Sequence, residues 1–124
     1  MSQNVDSNFK TYTAGAAIGR FIRVKLSSGV LAVAVLADRE WIGTLEEASF
    51  ASGDIRRVRL RSSFGTMKMI ANAAIAAGAP VFTVAAGKVG ATGTGAFYVG
   101  VALEAAGADG DTIEVLHIGG ETAQ

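Results

Sequence analysis

The apolar residues of this chain come in short runs cut by glycine, and that limits the fold more than any other feature. The pattern is densest from Ala73 to Val115. There Val81–Val84, Phe97–Leu103 and Thr112–Leu116 are each 4–7 residues long and rich in β-branched or aromatic side chains. Turn formers bound them: Gly78 and Pro80, the loop Gly87–Gly95, and Ala108-Asp109-Gly110-Asp111. Short runs of this kind predict strands joined by tight loops. Gly110 after Asp109 supplies the positive φ that a tight turn between strands needs.

The rest of the chain follows the same rule. Phe9–Thr13 alternates and predicts a short strand. Arg20–Leu26 alternates too, with Ile22, Val24 and Leu26 on one face and Phe21, Arg23 and Lys25 on the other, which predicts a strand buried on one face. Val30–Leu36 is nearly all apolar and reads as a strand covered on both faces. Trp41–Leu45, Ile55–Arg61 and Thr66–Ile70 complete the set, while Glu46–Ala51 reads as a loop or one helical turn. Asn72–Ala77 is alanine-rich and fits a short helix or a loop. The expected fold is all-β: a small barrel or sandwich of short antiparallel strands with at most one or two short helical turns.

Two stretches, 41–60 and 98–117, resemble each other at the constant offset that carries Trp41 onto Tyr98. Gly43 matches Gly100, Glu47 matches Glu104, Gly53-Asp54 matches Gly110-Asp111 and Val58 matches Val115. This suggests a duplicated strand–loop–strand unit, against the alternative of coincidence in a Gly/Ala-rich chain. The expected organisation is one domain over residues 9–118, a polar arm over 1–8 and a loose tail over 119–124.

Composition narrows the function. Formal net charge is zero and only 18% of residues are charged, which argues against a nucleic-acid or membrane-surface footprint. There is no cysteine, so disulfides and thiolate metal sites are excluded. The N-terminal stretch has no apolar signal region, and the longest apolar run, Val30–Ala37, is too short to span a bilayer.

Motifs for chemistry fail one by one. The only histidine, His117, has no G-x-S-x-G partner motif. The loop Gly87–Gly95 lacks the P-loop glycine, since Phe82 stands where it is needed, and it leads into a strand instead of a helix. Asp109 and Asp111 supply two oxygen ligands where a calcium loop needs more. Glu46 and Glu47 are adjacent, so on a strand they point to opposite faces. No catalytic residue, cofactor or metal is expected. The notable charged feature is Arg57, Arg59 and Arg61, three arginines at i, i+2 spacing that share one face. They read either as a solvated sheet face or as a docking face for an acidic protein surface. Trp41 and Phe50 fit a core or an interface.

From about Trp41 to Ile118 the chain resembles the short β-barrel capsid cement, or head decoration, proteins of tailed phages and prophages. The resemblance is carried by Trp41-Ile42-Gly43-Thr44-Leu45, Ser52-Gly53-Asp54, Ala74–Phe82, Gly87-Lys88-Val89, Val99–Leu103 and Asp109–Val115. It implies a non-enzymatic virion protein on the outside of an expanded head, stabilising that head. It also implies the major capsid protein as partner, a homotrimer, no nucleic acid or membrane contact, and assembly in the bacterial host cytoplasm. On that reading Asn4, Val5, Phe9, Tyr12, Arg57, Arg59 and Arg61 are candidate capsid contacts. Trp41, Phe82 and Tyr98 are candidate core or subunit-interface residues. Two other classes stay open: a small ligand- or glycan-binding β module with a pocket near Trp41 or Tyr98, and an enzyme gathering His117 with a carboxylate or hydroxyl.

Overall fold

The computed structural model describes residues 8–63, 65–91 and 96–118. The expected arm apart from Asn8, the expected tail, and residues 92–95 of the Gly87–Gly95 loop lie outside these. Among the described residues, ten short strands form two five-stranded antiparallel sheets. The first holds β1 (Phe9–Thr13), β2 (Arg23–Ser27), β3 (Val30–Val33), β4 (Gly43–Leu45) and β5 (Ile55–Leu60), in the order β1-β5-β4-β2-β3. The second holds β6 (Met67–Ile70), β7 (Pro80–Thr83), β8 (Val89–Gly90), β9 (Tyr98–Ala102) and β10 (Thr112–His117), in the order β6-β10-β9-β7-β8. The only helical element among the described residues is a 3₁₀ turn, Ala85–Gly87.

The two sheets have the same strand order, and their hydrogen bonds recur at the offset seen in the sequence. Ile18 and Ser49 exchange backbone bonds, and so do Ile75 and Ala106. The Asp54 carboxylate accepts from the N–H groups of Phe50 and Ala51, as Asp111 does from Gly107 and Ala108. These donors hold Asp54 below the usual carboxylate range. Both sheets also curl. Parallel bridges from Ala14 to Leu31 and from Ala71 to Val89 bring the outer strands of each sheet together, which leaves less open edge for stray pairing.

Side-chain alternation fills each curl. Val24, Leu31, Leu45 and Val58 meet Ile18 inside the first. Met67, Met69, Val81, Val99, Ile113 and Val115 fill the second, and Trp41 and Ala34 reach into it from the first half. Each large side chain of this kind contributes about 1.5–3 kcal/mol by leaving water.

Several local expectations are corrected. The strand predicted from Arg20 starts at Arg23, because Phe21 takes φ 64° and turns the chain. Gly78 does the same job in the second half at φ 86°, and both N–H groups donate across to the neighbouring strand, to Leu45 and Ala102. Of the two readings of Asn72–Ala77, short helix or loop, the structure has the loop, held by the Ile75–Ala106 bridge. The Gly87–Gly95 stretch, expected as loop throughout, contains β8. Phe50 is not core: it is 78% exposed.

Candidate functional site

The arginines of β5 do not form one uniform solvated stripe. Pairing with β1 sets Phe9 across from Arg59, and the Phe9 ring lies 4.7 Å from the Arg57 guanidinium and 5.5 Å from that of Arg59. Such contacts are worth about 0.5–1 kcal/mol at exposed sites. Arg57 is exposed, while Arg59 and Arg61 are half-buried. Arg61 lies 4.1 Å above Trp41, and its Nη1 donates to the carbonyls of Arg39 and Trp41 at 2.9 and 3.0 Å.

Against the same indole stands His117, edge-on at 5.2 Å and 82°. Arg61 Nη2 lies 3.4 Å from His117 Nε2. A guanidinium only donates, so Nε2 accepts and the imidazole is neutral. Burial, and then the charge of Arg61, push the His117 pKa down to about 4. The groups packed on His117 are a guanidinium and an indole, neither of which is the carboxylate or hydroxyl that hydrolytic chemistry needs. No cluster of three metal-ligating side chains occurs among the described residues.

Two clefts open nearby. One, of about 370 Å³, is lined by Arg39, Glu40, Trp41, Ile42, Leu60, Arg61 and Ser62. The other, of about 280 Å³, lies where the halves meet and mixes Arg20, Arg59 and Lys68 with Glu46 and Glu114. Trp41 is 2% exposed, so its ring faces are occupied by protein and present no platform for a sugar.

The remaining predicted residues are placed as follows. Phe9 and Tyr12 are half-buried on β1, with Tyr12 packed against the first core. Phe82 is buried and meets the half-buried Tyr98 edge-on at 5.8 Å. Asn4 and Val5 lie outside the described residues. Sequence reading missed Arg23. Alternation puts it on the polar face of a strand, but it is fully buried and donates from Nε to Lys88 O and from Nη2 to Val84 O, at 3.1 and 2.8 Å. Pro80 holds the matching place in the second half, so the repeat carried no signal for it.

What remains is a packed β body with charged and aromatic groups on its surface. A sequence model of the family described as Phage cement protein matches residues 4–117. The chain belongs to the phage cement protein family. The match takes in Asn4 and Val5 and ends on His117, the last residue of β10. No curated protein matches the chain. This cement protein is thus a structural phage protein that associates with the capsid of the virion. No helix among its described residues is long and apolar enough to cross a membrane.

Proposed function

We propose that the protein binds the outer surface of an expanded phage head as a homotrimer, bridges neighbouring major capsid protein subunits and stabilises the head against internal pressure. The observation that carries this is the family match over almost the whole chain, residues 4–117. Physical reasoning supports it. Many copies held on a rigid lattice gain from multivalent geometry, so weak individual contacts suffice. Neither catalysis nor a cofactor is part of the reading. The body is proposed to be one domain built from a duplicated unit, assembled with the head in the host cytoplasm.

Arg57 is proposed as a capsid contact together with the Asn4–Val5 region, Phe9 and Tyr12. Arg59 and Arg61, at i, i+2 spacing from Arg57, are proposed with it. The test is binding of purified protein to expanded and unexpanded heads. Selective occupancy of expanded heads with a gain in their resistance to disruption is expected. Equal binding to neither or both forms, with no gain, overturns the proposal. Deletion of residues 1–8 should lower occupancy, and unchanged occupancy removes Asn4 and Val5 from the contact. The alternative of a glycan-binding module would need a stacking face, and the burial of Trp41 speaks against it.

A further inference from the structure

We infer that the outer face of the second sheet is the seat for a second copy of this chain, which docks head to tail with its β2–β3 turn on the row Pro80–Val101–Leu116. This deepens the self-association in the proposed function and rests on it. Cross-strand register defines the row: Leu116 pairs with Val101, and Val101 with Pro80. The equivalent pairs exist in the first repeat, where Arg59 pairs with Thr44 and Thr44 with Arg23.

The two rows meet different fates. In the first sheet the row is covered by the second half of the same chain: Arg23 and Thr44 are both 0% exposed. What sits on it is the turn after β7. Arg23 donates to the carbonyls of Val84 and Lys88, and Gly87 lies so close to Ile22 and Arg23 that it has no room for a Cβ. In the second sheet the matching row is apolar and exposed at its two ends, with Val101 half-buried between them. Leu116 is 40% exposed, Ile118 beyond it is 57% exposed, and Pro80 is exposed.

The complementary surface is also uncovered. The turn that corresponds to Ala86-Gly87 is Ser28-Gly29, with φ of 52° and 83° against 61° and 71°. The register shift between Val81 and Phe82 moves the later turn one place along the chain. Ser27, Ser28 and Gly29 are exposed, and Leu26 beside them is 43% exposed. The contact inside the chain joins different surfaces of the two halves, a row on one and a turn on the other. Repeating it between copies is therefore a heterologous contact, which builds a ring when the rotation closes. The chain thus carries one filled and one vacant instance of the same joint. Apolar residues replace Arg23, Thr44 and Arg59 in the vacant one, as an interface core depleted in charge requires.

The test combines mass in solution with cross-linking. The wild-type chain should run as a closed oligomer, and Leu116→Glu, at an exposed position, should run as a monomer with unchanged circular dichroism. Because the chain has no cysteine, Ser28→Cys and Pro80→Cys variants mixed under oxidation should form a covalent heterodimer that neither forms alone. An oligomer that survives Leu116→Glu together with no 28–80 cross-link overturns this surface and leaves self-association standing. A monomeric wild type, with no cross-link, overturns both, while head binding still reports separately on the capsid role. If Leu116→Glu unfolds, the cross-link decides.

Discussion

Arg23 Nη2 donates to the carbonyl oxygen of Val84 at 2.8 Å, joining β2 of the first sheet to the end of β7 in the second. The guanidinium is fully buried, lies 5.5 Å from the Trp41 ring and has its pKa pulled down to about 10, chiefly by desolvation. It therefore stays charged at neutral pH, hydrogen-bonded to two carbonyls and favoured by the charge of Asp38. Arg23→Ala should cost about 3–5 kcal/mol, because it strands the Val84 carbonyl, leaves Lys88 O with only the Val84 N–H, and opens a cavity. Arg23→Lys should not restore this, since a single ammonium lacks the fork that reaches both Val84 and Lys88. Urea unfolding of the three proteins measures both effects.

Gly43 and Gly100 should be intolerant of any side chain. A Cβ at Gly43 would strike the Arg59 carbonyl, and one at Gly100 the Leu116 carbonyl, the equivalent atom of the second repeat. Alanine at either place should cost about 1–3 kcal/mol or more, by forcing the strands apart. Gly53 and Gly110 differ: they sit at φ 100° and 94° with open space around the Cβ position. Alanine there should cost about 1–2 kcal/mol through backbone strain alone. Thermal melts of the four variants measure the costs, and hydrogen exchange should show strand separation, as lost protection, only for the first pair.

Acid should weaken the fold through His117. Its folded pKa of about 4 lies below the ordinary 6.5, so between those values the unfolded chain binds the extra proton. The stability this group supplies is complete above pH 6.5 and is lost as pH falls towards 4. With solvent screening of a half-exposed ring, the loss should be on the order of 1–2 kcal/mol. His117→Gln should flatten this part of the pH profile. An unchanged profile would show that the imidazole is not the titrating group.

Arg57 and Arg61 should separate on charge reversal. Arg57→Glu should lower stability by no more than about 1 kcal/mol, the worth of its exposed contact with Phe9, while lowering capsid occupancy and its salt dependence. Arg61→Glu should instead cost about 2–3 kcal/mol, since it removes two hydrogen bonds to carbonyls and the cation over Trp41. Occupancy unaffected by Arg57→Glu at every salt concentration would make that residue a solubility group only.

Short apolar runs between glycines were enough to read an all-β fold, because a pleated strand exposes its period of two directly in the sequence. The same local logic located the turns at Gly53-Asp54 and Gly110-Asp111. Alternation states which side of the pleat a residue lies on, and nothing more. It put Arg23 and Arg57 on comparable polar faces, yet one is sealed beneath the Val84–Lys88 turn and the other is in water. It placed Phe21 inside a strand, although burial of its ring holds it in a conformation that the second half entrusts to Gly78. What covers each face depends on how two sheets distant in sequence come to rest on one another, and only the tertiary structure decides that.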